Sequence, residues 1–360
     1  MADPATADLC VDCRERDATL DVRNRRLCTA CFMRYVNSKV LKRMESYRYK
    51  AAEGDEKRRL LLPVSGGVSS LVLLQILDAQ HTRQLAKRNR TAYDLVVVRV
   101  VVPGDEDSPT LMGDYKELGH RFSMHSFHPP LPLHEVFHMD DHIERDMEHV
   151  GLRREPGETD AAFLDRALSC ATSVTARADL QSILQQRLIV SVARQQNCES
   201  VLWGHSDSRL AALVLADVAK GRGGSVSSTI ADGPSTHGIN YNYPLRELFK
   251  AELQSYAQVA SEPLLEKAAH SEGMTVPLNS IRHTSIDSLL RTYIDSQGEK
   301  YPGIMANVVR TASKLEGQQA SVFGATCPVC VRPIVRSEGL LHPDSVLCYG
   351  CDRMRQDIKS

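Results

Sequence analysis

At 360 residues and 42% hydrophobic composition, the chain can bury a substantial core, which predicts one domain of about 250 residues with smaller attachments. No apolar run approaches the ~20 residues of a membrane span, and nothing resembles a signal peptide. With a formal net charge of −1 there is no overall pull towards polyanions or membranes, so a cytoplasmic protein without membrane partners is expected and any nucleic-acid contact must come from a local patch.

The first element is built on cysteine. Eight of the ten cysteines form four C-x-x-C pairs: Cys10/Cys13 with Cys28/Cys31 near the start, and Cys327/Cys330 with Cys348/Cys351 near the end. A C-x-x-C turn presents two thiolates to one ion, and a second turn fourteen or seventeen residues on completes a tetrahedron with no position open for substrate. Two structural zinc sites are therefore expected, without an iron–sulfur cluster. A disulfide framework fits a cytoplasmic compartment poorly. Directly out of the first module comes a basic stretch, Arg23 to Lys50, with nine Lys/Arg against the single acid Glu45. Tyr35, Tyr47 and Tyr49 are interleaved with it, a combination suited to phosphate contacts and base stacking. Arg25, Arg26, Lys39, Lys42 and Arg43 are the candidate RNA contacts, which would position RNA without reading its sequence.

The stretch "LLLPVSGGVSSLVLLQIL", residues 60 to 77, reads as a buried strand, a small-residue loop and a helix. Gly66 and Gly67 let the backbone approach an anion, Ser65, Ser69 and Ser70 supply hydroxyls, and the helix start presents free N–H groups. The loop has neither the lysine of a Walker A motif nor the spacing of a dinucleotide fingerprint. A β-branched run, "DLVVVRVVV" at 94 to 102, predicts the next strand and makes a βαβ unit. At the start of the acidic segment Glu135 to Asp160, and one residue before it, His134, His138 and His142 stand four apart. In a continuous helix they would share a face, although a solvated polar helix explains them without a metal. Leu180, Ile183, Leu184, Leu188 and Val192 mark a long helix. After it, "ESVLWGHSDSRLAALVLADVAKG" gives another strand, a polar turn carrying Gly204, His205 and Asp207, and a helix. The expected fold is α/β, a doubly wound and mostly parallel sheet over residues 51–320, flanked by cysteine modules at 1–50 and 321–360. Its ligand crevice lies at the carboxyl ends of the strands.

These motifs carry a family resemblance. "SGGVSS" resembles the S-G-G-x-D-S loop of the PP-loop ATP pyrophosphatases, and with "GHSDSRLA", "YPLRELFKAEL" and the flanking C-x-x-C pairs the chain resembles the eukaryotic tRNA 2-thiolation proteins over nearly its whole length. The resemblance implies a role in making 2-thiouridine at the wobble position (U34) of lysine, glutamate and glutamine tRNAs. It further implies a heterodimer with a homologous catalytic thiolase subunit, and sulfur from a thiocarboxylated ubiquitin-related modifier.

That chemistry adenylates a uridine oxygen with ATP and displaces AMP with sulfur, so it needs a pyrophosphate cradle, a magnesium-holding acid and sulfur-handling cysteines. Ser69 stands where the family loop has its aspartate, and Ser208 replaces the second acid of the G-H-N-x-D-D turn. Where catalytic relatives read C-x-x-C-G, this chain has Cys170, Ala171, Thr172, Ser173 and Val174, and no cysteine lies between Cys198 and Cys327. ATP binding stays open, since the cradle survives without its acid. The expected role is a non-catalytic, tRNA-binding scaffold with Cys170 a vestige and Cys198 a core thiol. The alternatives are an active ATP-dependent thiolase using Cys170, and a zinc-ribbon DNA-binding regulator that would leave the α/β core without a role.

Overall fold

The structure, a computed structural model, describes residues 9–48, 57–105, 109–260, 262–273, 284–315, 325–334 and 346–359. Its centre is a six-stranded sheet in the order β6-β4-β3-β8-β10-β9. The strands are β3 (Arg58–Pro63), β4 (Tyr93–Val98), β6 (Ser126–Phe127), β8 (Ser200–Leu202), β9 (Gly233–Pro234) and β10 (Asn240–Asn242). All neighbours pair in parallel except β9, which runs antiparallel to β10 at the edge. The chain winds outward from β3 through β4 to β6, then returns to place β8 on the other side of β3. The strand order therefore reverses between β3 and β8, which opens a crevice at their carboxyl ends.

Both faces of the sheet are covered, so its strands are apolar on both sides. Leu60, Leu62, Leu95, Val97 and Leu202 point to one face, packed against helices α2 (Val68–Arg88) and α10 (Lys250–Val259). Leu61, Val96, Val98, Val201 and Tyr241 point to the other, beneath α7 (Val174–Gln195) and α8 (Asp207–Ala219). Helices α12 (Ile286–Lys300) and α13 (Pro302–Lys314) lie outside α8. Each cysteine module joins one face. The N-terminal cysteines Cys10, Cys28 and Cys31 share the first core, with hairpin β1 (Leu20–Val22) and β2 (Arg25–Leu27) and helix α1 (Thr29–Arg43). All four C-terminal cysteines share the second, with helix α14 (Tyr349–Gln356).

Two expectations change in detail. The run 94–102 is not one strand. It leaves the main sheet at Arg99, and β5 (Val100–Val101) pairs instead with β7 (Leu131–Pro132) in a separate two-stranded sheet. The histidines share no helix face. His134 lies in a 3-10 turn, His138 in α4 (Val136–Met139), and His142 precedes α5 (Ile143–Glu148). Asp140 ends α4 in an extended conformation, φ −117° and ψ 97°, and its carboxylate accepts from Arg187 at 2.7 Å and 3.1 Å. Among the described residues, the only side-chain groups able to hold a metal are the two cysteine tetrads.

Candidate functional site

In each tetrad the four Sγ atoms lie within 4.8 Å of one another. In both, a C-x-x-C turn faces a second pair at a helix start: Cys28 caps α1 and Cys348 caps α14. Four converging thiolates carry excess negative charge around a divalent ion, and the C-terminal site answers it with a buried cation. Arg222 donates from Nη2 to Cys351 Sγ at 3.4 Å and from Nη1 to Asp179 at 3.0 Å. The four-thiolate donor set fits a metal at both ends, and at the C-terminal one Arg222 also compensates its charge.

The C-terminal module is locked to the core. Arg187, 5% exposed, donates to the carbonyls of Pro328 and Val329 in the first C-x-x-C turn, at 2.7 Å and 3.2 Å, while pairing with Asp140 and Asp146. Burial within this ion pair leaves Asp140 below the usual carboxylate range, because Arg187 outweighs the desolvation. Gly221 and Gly350 mark the contact. A Cβ at Gly221 would meet Tyr349 Cδ1 at 2.1 Å, and one at Gly350 would meet Arg222 Cγ at 2.7 Å.

The tail beyond α14 then covers Cys170. Ile358 bridges Ala171 in antiparallel fashion, Lys359 N–H donates to the Cys170 carbonyl at 3.0 Å, and Thr172 N–H donates to the Asp357 carbonyl at 2.9 Å. Ser173 caps α7 and donates to the Asp357 carboxylate at 2.7 Å. The segment Cys170–Ser173 is thus a backbone clamp for residues 357–359. No other cysteine joins Cys170 in a tetrad. Burial raises the Cys198 thiol to about 11 and Arg59 only partly opposes it, so this cysteine stays a neutral core thiol.

The two polar loops meet at the crevice. Ser65–Ser70 leaves β3 and enters α2, with Gly66 at φ +83°. Ser70 Oγ donates to the Gly67 carbonyl at 2.9 Å. Gly204, after β8, approaches so closely that a Cβ would lie 3.0 Å from Ser70 Cα. Beyond it, His205 stacks between Trp203 and Tyr243, with ring centroids 5.5 Å and 5.8 Å apart. Desolvation, helped by Arg209 and Arg291, pushes its imidazole down to about 3, so it is a neutral packing ring. Asp207 is buried at the start of α8, and desolvation lifts it from 3.8 to about 7. Ser208 Oγ accepts the backbone N–H of Lys250 at 3.4 Å, so the residue replacing the second acid serves the start of α10.

The basic helix presents less free charge than its sequence suggests. Arg43 pairs with Asp232, Lys39 with Glu247 at 2.9 Å, Arg25 with Asp12 at 3.1 Å and Arg26 with Asp21 at 3.4 Å. Lys42 is exposed, and so is Arg34 two turns earlier on the same side of α1. Arg34 was not among the expected contacts, although its spacing from Lys42 signals it. The tyrosines face inward: Tyr35 donates to Glu252 at 3.1 Å, and Tyr47 is buried edge-on against Tyr93. Tyr49 lies outside the described residues. Arg23 and Tyr35 converge on Glu252, which also accepts Phe249 N–H, so the N-terminal module is seated on the start of α10.

A parallel sheet with a Gly-rich loop at its switch point and a cysteine tetrad on each face defines a PP-loop-like α/β protein. The U34-tRNA thiolase of Methanococcus maripaludis, solved with its 4Fe–4S cluster, shares this fold at a TM-score of 0.56 and 12% identity, covering 90% of each chain. Relatives named cytoplasmic tRNA 2-thiolation protein 2 match far more closely. The Aspergillus oryzae protein is 39% identical, with 98% of both chains covered. The Phaeosphaeria nodorum protein is also 39% identical, over 98% of this chain and 96% of its own. The family model for cytoplasmic tRNA 2-thiolation protein 2 matches residues 285–341. The chain belongs to the cytoplasmic tRNA 2-thiolation protein 2 family.

Proposed function

We propose that this chain is a non-catalytic subunit of the cytoplasmic machinery that thiolates the wobble uridine of lysine, glutamate and glutamine tRNAs. It holds tRNA and completes a heterodimer with a homologous catalytic thiolase, which receives sulfur from a thiocarboxylated ubiquitin-related modifier. The carrying observation is the state of Cys170: a lone thiol whose flanking backbone pairs with the C-terminal tail. Ser69 and Ser208 stand where magnesium-holding acids are needed, which agrees with this reading. Zinc is the metal that suits the two tetrads: four thiolates with a structural position in a core leave no coordination site open for chemistry. The purified chain given ATP, magnesium and tRNA should release no pyrophosphate above background. Release that depends on tRNA would establish the active-thiolase alternative.

RNA contact falls on the exposed stripe of α1. Surface ion pairs are worth only about 0–1 kcal/mol, so those of Lys39 and Arg43 exchange readily for phosphate. Their reversal would also repel Glu247 and Asp232, which are packing partners. The cleaner variant is Arg34→Glu with Lys42→Glu. It should weaken tRNA binding and flatten its salt dependence by roughly one unit of slope per lost phosphate contact, with the melting temperature unchanged. An unaltered salt slope would leave RNA binding to the partner.

A further inference from the structure

A second basic segment lies at the far end of α2. Between Asp78 and Asp94 the chain carries Arg83, Lys87, Arg88 and Arg90 and no acid. The helix outruns the core it serves: its last buried residue is His81, and every residue from Leu85 to Arg88 is exposed. It ends as a projecting turn, closed by Asn89 in the left-handed conformation with its N–H on the Leu85 carbonyl. That turn buries nothing on the sheet, so packing does not explain it. Cations suit a helix C-terminus, whose free carbonyls carry partial negative charge, but this accounts for Lys87 and Arg88 only. Arg83 stands a full turn before Lys87, on the same face, with Nε on the Ala79 carbonyl at 3.0 Å. Lys57 and Arg58, at the same end of the sheet, are paired with Asp94 and Glu199. Arg83, Lys87 and Arg88 pair with no carboxylate among the described residues.

We propose that the projecting end of α2, through Arg83, Lys87 and Arg88, is a second RNA-contacting surface continuous with Arg34 and Lys42 of α1, and that it grips the sugar–phosphate backbone of a helical arm of the tRNA. The inference rests on the reading above that this chain holds tRNA. The two basic patches meet across α10. Tyr256 of α10 donates to Asn37 Oδ1 of α1 at 3.2 Å, and Asn37 lies between Arg34 and Lys42. Burial raises the Tyr256 hydroxyl, while its bond to Asn37 and the charge of Arg83 both lower it, so Arg83 stands close to the same junction. The composition of the turn selects the ligand. Protein interfaces are rich in aromatic residues and poor in lysine, and here Leu85 is the one large apolar side chain exposed. Unpaired RNA bases need aromatic platforms to stack on, and the nearby rings, Tyr93 and Tyr256, are buried. What is left is unneutralised positive charge on a protruding shape, which suits the phosphates of a duplex, read by shape rather than sequence. At 21 residues, α2 also separates this surface by about 30 Å from the Ser65–Ser70 loop, so the two do not share one small ligand.

The test is fluorescence anisotropy of the full chain across a salt series, with labelled tRNA and, separately, an RNA duplex of about 16 base pairs and arbitrary sequence. The variant carries Arg83→Gln, Lys87→Gln and Arg88→Gln together, since glutamine keeps the helix propensity of the residues it replaces. Its melting temperature should match the wild type. For both RNAs the salt slope should fall by about two to three units and the affinity at physiological salt by about tenfold or more. Adding Arg34→Glu and Lys42→Glu should lower the slope for tRNA further, as expected of one continuous surface. Should the triple variant melt early, Lys87→Gln alone decides, with a loss of about one unit of slope. If the wild type binds tRNA and the triple variant binds it with the same slope, this inference fails and the tRNA-holding reading survives. If the wild type binds no tRNA, both fail. Binding to tRNA but not to the duplex, or displacement of both RNAs by polyglutamate at equal charge, would also overturn the proposal, the latter in favour of an acidic protein partner.

Discussion

With zinc in both tetrads, as proposed above, replacing Cys348 with serine should lower the content from two ions per chain to one and cost more than a typical core truncation, upward of about 4 kcal/mol. Cys348 both contributes a thiolate and caps α14, so the metal and the helix start are lost together. Three contacts of the core then lose their partners. Arg222 loses Cys351, Arg187 loses the Pro328 and Val329 carbonyls, and the Asp357–Ile358 tail is no longer held against Ala171 and Ser173. Metal analysis by mass spectrometry and a thermal melt on the same sample give both numbers. Two ions retained with an unchanged melt would show that Cys348 is not a ligand.

Arg187→Met should destabilise the chain by about 3–5 kcal/mol, the usual cost of stranding a buried partner charge. The guanidinium is surrounded by Asp140, Asp146 and two backbone carbonyls, all within 3.2 Å. Methionine fills the volume but leaves two carboxylates buried without a counter-ion. The pH dependence should invert as well. In the wild type, Arg187 depresses the Asp140 pKa, so this contribution is present above the carboxyl's unfolded value and is lost as the pH falls. In the variant the stranded carboxylates bind protons more tightly when folded, so its deficit should shrink towards pH 5. Denaturant unfolding at pH 5 and pH 8 checks both points. A deficit under 1 kcal/mol, or one that grows in acid, would contradict this account of the ion pair.

Much of the architecture is legible because it is local. The strand, glycine loop and helix at 60–77 follow from hydrophobic period and small residues, and the cysteine tetrads from C-x-x-C spacing. The helix beginning at Val68 runs to Arg88, well past the apolar run that signals it, because its later turns are half exposed. What the sequence conceals depends on partners far along the chain. The Cys170 clamp joins residues 170–173 to 357–359, and the pairing of Arg222 with Cys351 spans 129 positions. No periodicity encodes either. Tyr35 and Tyr47 looked like stacking platforms because they alternate with charge, but Glu252 and Tyr93 draw them inward. Arg34 is a case where a local signal was present: it stands two turns before Lys42 on the exposed side of α1.

Whether the proposed subunit supports thiolation without performing its sulfur chemistry is read from the 2-thiouridine content of lysine, glutamate and glutamine tRNAs in cells whose own copy is replaced by Cys170→Ala. Thiolation should stay at the wild-type level, because the Cys170 carbonyl, not its thiol, holds Lys359. Loss of 2-thiouridine, with the variant still folded, still paired with the catalytic subunit and still binding tRNA, would contradict it and make Cys170 a catalytic thiol.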